Sequence, residues 1–103
     1  MVQHIGLQIE HDDGELIATF DSGRSIDVRV IEHASAEGGC LRFIDPYGDT
    51  AFNCLQLEEL LRELKLLQEG TTDAEFAVNI QSMLDFLGPY RAEVHFFVRF
   101  IGD

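Results

Sequence analysis

The chain has 103 residues, of which 46% are hydrophobic and 25% charged, a balance typical of a globular domain and not of a disordered segment. It carries 19 Asp and Glu residues against 7 Lys and Arg residues, a formal net charge of -12. This charge argues against nucleic acid and anionic membranes as partners and permits a basic protein. The length predicts one domain, residues 1–103, with a single core.

The N-terminal residues 1–4 have no basic start and no long apolar run, so we expect no signal peptide and a cytoplasmic location. No apolar stretch approaches the ~20 residues that a membrane-spanning helix needs. Two cysteines without a leader, Cys40 and Cys54, are expected to be free thiols. A bridge between them across a predicted hairpin stays open as the alternative.

Three runs of residues near the N-terminus alternate apolar and polar side chains with the period of a β-strand: 4–10, 15–20 and 25–31. Asp13-Gly14 between the first two runs is a strong hairpin signal. A second turn falls at residues 21–23, and a glycine-containing loop follows at residues 33–39. The pattern predicts a three-stranded meander.

Residues 40–54 are predicted to form a hairpin. Asp45, Pro46 and Gly48 occupy the positions that a type I turn prefers, so a strand over 40–44 should be followed by a short returning arm. The run 93–101 is the most apolar of the alternating segments. We therefore place this C-terminal strand at the centre of the sheet.

Two amphipathic helices are predicted between these strands. Asn53 and Gln56 have the spacing of a capping box, and a leucine face follows up to Gly70: Leu57, Leu60, Leu61, Leu64 and Leu67. Thr72 and Glu75 predict a second capping box. The second helix has its own apolar face and should end at Gly88-Pro89: Phe76, Ile80, Met83, Leu84 and Leu87.

These elements predict an α+β fold, an antiparallel sheet of about five strands with a two-helix hairpin packed on one face. Strand parity then separates two sets of side chains. The helix-facing set is Ile5, Leu7, Leu16, Phe20, Ile26, Val28, Val30, Leu41, Phe43, Val94, Phe96, Val98 and Phe100. The set on the open face is Gln8, Glu10, Asp27, Arg29, Arg42, Glu93, His95, Phe97 and Arg99.

The open face supplies one candidate binding site, because arginine and aromatic residues are enriched at interface hot spots. Its members are Arg29, Arg42, His95, Phe97 and Arg99. Cross-strand ion pairs of Arg29 or Arg99 with Asp27 or Glu93 are an equally good interpretation. Exposed Phe97 and Ile101 would also favour a homodimer.

The helix exteriors supply a second candidate, an acidic surface for docking a basic protein: Glu58, Glu59, Glu63 and Glu69. Ordinary ion pairs such as Glu58 with Arg62 are the alternative. Aspartates at the hairpin turns could bind a divalent cation, although turns favour aspartate without any cation: Asp12, Asp13, Asp45 and Asp49. The four histidines have no zinc-site spacing, so no metal, cofactor or catalytic residue is predicted.

The sequence thus favours a small acidic non-enzymatic module that binds a basic protein, with association steered by charge. In size and charge it resembles the small acidic immunity proteins of bacteria, which inhibit a toxin. No residue motif carries that resemblance. It implies, as an expectation, that the chain has an inhibitor-type function. The alternative is a domain that binds a small molecule or a divalent cation on the open sheet face or at the turn aspartates.

Overall fold

The computed structural model describes residues 4–23 and 25–102 and is α+β. Residues 1–3, which bear on the expected lack of a signal peptide, lie outside it, as do Arg24, Asp103 and the side chains of residues 22 and 23. The strands are β1 (Gly6–His11), β2 (Leu16–Thr19), β3 (Asp49–Asn53) and β4 (Phe96–Ile101). The helices are α1 (Arg29–Glu32), α2 (Leu57–Gly70) and α3 (Ala74–Leu87).

The four strands form one antiparallel sheet in the order β2-β1-β4-β3, so the central position of the C-terminal strand is confirmed. Leu7 lies opposite Phe100, and both Ile9 and Phe52 lie opposite Val98. These side chains are buried and belong to one core cluster with the apolar faces of α2 and α3. The apolar alternation of β4 thus fills the middle of the core.

The predicted capping box is confirmed, and it begins the 3-10 turn Cys54–Gln56, which leads directly into α2 at Leu57. Asn53 Oδ1 accepts hydrogen bonds from the backbone N–H groups of Leu55 at 3.0 Å and Gln56 at 3.2 Å. The side chain of Gln56 accepts the N–H of Asn53 at 2.9 Å in return. Since helix-terminal N–H groups lack partners within the helix, this exchange fixes where the helix begins.

The start of α3 differs from the prediction by one residue. Asp73, and not Thr72, is the N-cap, and its Oδ1 accepts the N–H of Phe76 at 3.0 Å. Helix α3 ends at Leu87, and Gly88-Pro89 begin a 3-10 turn that leads into β4, which confirms the predicted end. The predicted helix hairpin is therefore present.

The third strand of the predicted meander is wrong. Over residues 25–31 the backbone makes one sheet-like contact, from Ile26 N–H to the carbonyl of Ile5 at 2.9 Å, and then turns into α1. Asn79 of α3 accepts the N–H of Asp27, while Asp27 accepts the N–H of Arg29. Because side chains take these N–H groups, they are not available to a neighbouring strand.

The predicted strand over 40–44 is also wrong. With the runs 25–31 and 40–44 both lost from the sheet and the short returning arm present as a strand, four strands stand in place of about five. Residues Leu41–Phe43 form a 3-10 turn. The turn that follows is as predicted, since Gly48 N–H reaches the Asp45 carbonyl and the Asp45 side chain accepts Tyr47 N–H at 2.8 Å. The returning arm is β3, which pairs with β4 instead.

Three of the thirteen predicted helix-facing residues are exposed: Leu16, Phe43 and Val94. A bulge between Ile9 and Glu10 shifts the register, so that Leu16 lies opposite Glu10 on the open face. Phe43 leaves the sheet with its 3-10 turn, and Val94 precedes β4. Parity arguments fail at Leu16 because of the bulge, and at Phe43 and Val94 because these two residues lie outside the strands.

Candidate functional site

The open face of the sheet holds Phe97 and Arg99, two of the five residues predicted to bind there. Arg99 Nε donates to Glu10 Oε2 at 2.9 Å, and its Nη1 lies 3.7 Å from Asp49 Oδ2. Phe97 lies opposite Glu10, and Ile101 follows on the same face. Both apolar side chains are half-buried. The homodimer that they suggested stays a prediction.

Glu10 is only 7% exposed although it lies on the face away from the helices. Desolvation raises the pKa of Glu10, but hydrogen bonds from Arg99 and Gln8 outweigh it and hold the pKa below its usual value. The carboxylate and the guanidinium are therefore both charged and paired. The centre of this face is an internal ion network that joins β1, β3 and β4.

The other three predicted members lie elsewhere, which corrects their placement on the sheet face. Arg29 of α1 donates to Asp27 at 2.7 Å and to Asp73 at 2.9 Å. Arg42 donates to the Gly38 carbonyl and stacks on the neighbouring Phe43 ring at 4.1 Å. Arg29 and Arg42 lie off the sheet face because the runs 25–31 and 40–44, which were predicted to carry them as strands, are not strands.

His95 directly precedes β4 and has a backbone φ of 64°, a left-handed conformation. Its carbonyl accepts the N–H of Asp12 at 3.0 Å, and its Nδ1 lies 3.6 Å from Asp12 Oδ2. His95 thus joins the β1–β2 turn to the start of β4. It does not share the face of Arg99.

The four glutamates predicted to form the acidic docking surface are in different environments. Glu69 is exposed, and Glu58 pairs with Arg91 at 2.9 Å. Glu59 pairs with Arg62, three residues along the helix. Glu63 is only 5% exposed, so its assignment to the helix exterior is wrong. The loop over residues 33–40 packs on this side of α2 and covers the carboxyl.

Glu63 and Glu59 bind the end of that loop through its backbone. Glu63 accepts the N–H groups of Cys40 at 3.0 Å and Leu41 at 3.4 Å, and Glu59 accepts that of Gly39 at 3.4 Å. Burial raises the pKa of Glu63, and the adjacent Glu59 carboxyl raises it further. Arg62 holds the pKa of Glu59 at about 2. The two carboxyls therefore differ in proton affinity although they are hydrogen-bonded neighbours.

Cys40, beside this pair, is a buried free thiol, and Cys54 is a half-buried free thiol. Burial raises the pKa of Cys40 to about 11, and the nearby Glu63 charge adds to the effect. Its Sγ donates to the Gln56 carbonyl at 3.8 Å. Since the thiolate is the reactive form, Cys40 is a poor nucleophile near neutral pH.

Gly38 should be the position in this loop least tolerant of alanine. An added Cβ would lie 2.2 Å from Glu63 Oε1 and 3.3 Å from the Ser35 carbonyl oxygen. The buried carboxyl would have to move away from the N–H groups it accepts, so we expect Gly38→Ala to lower the free energy of unfolding by about 1–3 kcal/mol. Urea denaturation measures this loss.

Gly39→Ala is the matched control, because its Cβ would make only an ordinary contact, 3.5 Å from Glu59 Cγ. We expect this change to stay within about 0.5 kcal/mol of the wild type. Equal effects of the two substitutions would contradict the packing of Gly38 against Glu63.

The positive charges of the described residues are all engaged within the chain. Four arginines form ion pairs with carboxylates, Arg42 binds a carbonyl and a ring, and Lys65 donates to Gln68. Nine exposed carboxylates make no ion pair with any Lys, Arg or His in the described part of the chain: Asp13, Glu15, Glu32, Glu37, Asp45, Glu69, Glu75, Asp85 and Glu93. Within the described residues Arg42 and Lys65 are exposed cations without a carboxylate partner, so the charge available to a partner is negative in excess.

An apolar cavity of about 400 Å³ lies where the β1–β2 hairpin meets the segment between α3 and β4. We call it the tip pocket, and its lining residues are His11, Ile17, Pro89, Tyr90, Glu93, Val94 and Phe96. The Tyr90 ring packs on Phe86 at 6.4 Å and on Phe96 at 5.8 Å, which ties the pocket to the core. Sequence reasoning missed this site because three distant segments form it.

Two other cavities, of about 410 and 470 Å³, adjoin each other along α2 and share His33, Leu66 and Leu67. Most of their charged lining residues have partners within the chain. Arg62 pairs with Glu59, Arg29 pairs with Asp73, and Glu63 accepts backbone N–H groups. These cavities therefore offer a ligand fewer uncommitted polar groups than their size suggests.

The turn aspartates have structural partners. Asp13 accepts the N–H of Glu15 and Asp45 that of Tyr47, each two residues on, as in Asx turns. Across residues 4–23 and 25–102, no three His, Cys, Asp or Glu side chains are grouped so that they could hold a metal ion. In the same residues no helix is long and apolar enough to cross a membrane.

Comparison of the chain with protein-family models, with curated proteins and with solved structures found no significant match. The fold and the surface together define a class, an acidic α+β domain with a four-stranded antiparallel sheet and two packed helices.

Proposed function

We propose that this chain is a non-enzymatic protein-binding module that engages a basic partner through its acidic surface. The proposal rests on one observation, that the exposed carboxylates exceed the cations that could neutralise them. The described arginines are committed to internal ion pairs, a carbonyl or a ring, and nine exposed carboxylates are not paired with Lys, Arg or His in the described residues. A partner approaching the surface therefore meets an excess of negative charge.

This distribution affects the rate of association most strongly. A net charge of -12 on 103 residues produces a field that attracts a basic protein from beyond contact distance. The field is screened over roughly 10 Å at 0.1 M salt, so the association rate should fall steeply as salt is added. Arg99 and Arg29 do not oppose this attraction, because Glu10 and Asp27 neutralise them locally.

An inhibitor-type role is the specific form of the proposal. A cationic surface that a partner uses to bind its own anionic substrate would be covered by this acidic domain. The partner would then lose activity without any chemistry by the domain. Size and charge alone connect this role to bacterial immunity proteins, as the sequence suggested.

The proposal is tested with a charge-reduced variant used as bait. Five exposed carboxylates without Lys or Arg partners are replaced by amides: Asp13→Asn, Glu15→Gln, Glu37→Gln, Glu69→Gln and Glu93→Gln. We expect wild-type chain to capture strongly basic proteins at low salt, and the variant to bind them at least about tenfold more weakly. Raising the salt concentration should weaken wild-type binding in the same way.

The matched control exchanges Asp and Glu at the same five positions, which keeps the charge and changes only side-chain length. It should bind like the wild type. Capture of neutral or acidic partners only, with affinity that neither salt nor charge reduction alters, would rule the proposal out. Circular dichroism of all three proteins checks that the fold is retained.

A further inference from the structure

We infer that the tip pocket receives a large apolar side chain from a basic segment of the partner, one that carries Lys or Arg on both sides of that side chain. The inference rests on the proposed function and deepens it, since it states where the partner binds and what chemistry the bound segment has.

The pocket has the size and lining of a side-chain binding site. Its volume of about 400 Å³ lies within the usual range of ligand pockets, roughly 300–1,000 Å³. Val94 is 65% exposed and Ile17 is 38% exposed, so apolar surface at its mouth is open to water. A partner that covered this surface would remove apolar area from water, and this burial would favour binding.

The rim of the pocket is acidic. Glu93 is one of the lining residues, and the lining contains no Lys or Arg. Asp13 and Glu15 lie in the adjacent β1–β2 turn, which His95 ties to the start of β4 through Asp12. An apolar centre with a polar rim is the usual arrangement of a protein interface, and here the carboxylate among the lining residues is that of Glu93.

Charge complementarity selects one occupant for the pocket. An acidic or phosphorylated segment would bring like charges to Glu93 and the turn carboxylates, which is unfavourable. A second copy of the chain carries the same net charge of -12 and would be repelled in the same way. A basic segment with a central aromatic or aliphatic residue satisfies both the apolar centre and the acidic rim.

The test uses two synthetic peptides, each with lysines on both sides of a central residue that is tryptophan in one and alanine in the other. The chain has no tryptophan, so emission from the peptide reports binding without background. NMR titration of ¹⁵N-labelled protein measures both affinities and locates the contact. We expect the tryptophan peptide to bind about tenfold more tightly and to shift the amides of Ile17 and Val94.

The variant Val94→Ser removes apolar surface at the mouth of the pocket and keeps the charge. It should weaken the tryptophan peptide about threefold to tenfold and leave the alanine peptide unchanged. Val78→Ser is the matched control, because Val78 is 66% exposed on α3 and Pro89 lies about 16 Å further along the helix direction. This control should bind both peptides like the wild type.

The outcomes separate the two proposals. If both peptides bind with equal, salt-sensitive affinity and Val94→Ser has no effect, the tip pocket is not the site and the basic-partner proposal stands. If neither peptide binds at low salt, the basic-partner proposal is overturned and the pocket with it. If Val94→Ser instead abolishes concentration-dependent self-association in sedimentation, the occupant is a second copy and the inference is wrong.

Discussion

Replacement of Glu63 by leucine is expected to lower the free energy of unfolding by about 2–5 kcal/mol. The carboxyl is 5% exposed and accepts the N–H groups of Cys40 and Leu41. Leucine fills much of the space but accepts no hydrogen bond, so two buried donors lose their partner at about 1–3 kcal/mol each. Urea denaturation of the variant and the wild type measures the difference.

Glu63→Gln is the control for this experiment. Its amide oxygen can accept a backbone N–H, and its amide NH₂ can donate to the neighbouring Glu59 carboxylate. We expect Gln to retain most of the stability that Leu loses, within about 1 kcal/mol of the wild type. If leucine and glutamine proved equally harmful, the charge of Glu63, and not its hydrogen bonds to the loop, would hold residues 38–41 in place.

The difference in the free energy of unfolding between the wild type and Glu63→Gln should depend on pH. The pKa of Glu63 is raised above its ordinary value of 4.5, so the native state holds this proton where the unfolded chain has lost it. That contribution to stability is fully present below pH 4.5 and is lost as the pH rises through the raised pKa. Glu63→Gln lacks this loss. Its free energy of unfolding should therefore rise relative to that of the wild type as the pH increases above 4.5.

Glu59 changes the stability of the fold with pH in the opposite direction and over a different pH range. Its pKa of about 2 means that it contributes stability above pH 4.5 that is lost as the pH falls toward 2. Measurements at pH 4.5–8 therefore isolate Glu63. A constant difference in stability between wild type and Glu63→Gln over that range would contradict the raised pKa.

Phe100→Ala is the second substitution with a large expected effect, a loss of about 3–5 kcal/mol. Phe100 is fully buried on β4, opposite Leu7, and its ring meets that of Phe52 edge to face with centroids 5.9 Å apart. Truncation leaves a cavity in the centre of the sheet that the paired strands on both sides cannot easily collapse. Thermal or urea unfolding measures the loss.

Phe97→Ala provides the comparison within the same strand. Phe97 faces the open side of the sheet and is half-buried, so its loss should cost only about 1 kcal/mol. The ratio between the two effects tests which face of β4 meets the helices. Equal losses would mean that the open face is covered, as a homodimer through Phe97 would require.

Features fixed by neighbouring residues were predictable from the sequence. Asn53 and Gln56 begin the 3-10 turn that leads into α2 because they bond to each other's backbone three residues apart, a pattern visible in the sequence. The apolar alternation of β4 likewise indicated its central position. The class of fold follows from such local signals.

Features fixed by distant residues were not predictable. The turn residues Asp45, Pro46 and Gly48 predicted a strand over 40–44, but the N–H groups of Cys40 and Leu41 bond to Glu63, about twenty residues away. Asn79 takes the N–H of Asp27 across 52 residues in the same way. No local pattern reveals such partners, and they removed Arg29 and Arg42 from the predicted binding face.

The candidate site depends on distant contacts to an even greater degree. Ile17, Tyr90 and Val94 show no motif, and their common location depends on the pairing of β1 with β4 and on the path between α3 and β4. The charge of the chain was evident at once, whereas its division into paired and unpaired carboxylates required the positions of the arginines.

The central position of β4 also has a consequence during biosynthesis. β1 pairs with β4, and Glu10 and Arg99 are 89 residues apart in the chain. At about 5–20 residues per second, synthesis of the chain from Thr19 to Phe96 takes roughly 4–15 seconds, so the β1–β2 hairpin exists for that long before β4 begins. Leu7 and Ile9 of β1 lack their partners on β4 during this time, so the nascent chain is expected to depend on holding chaperones more than its small size would indicate.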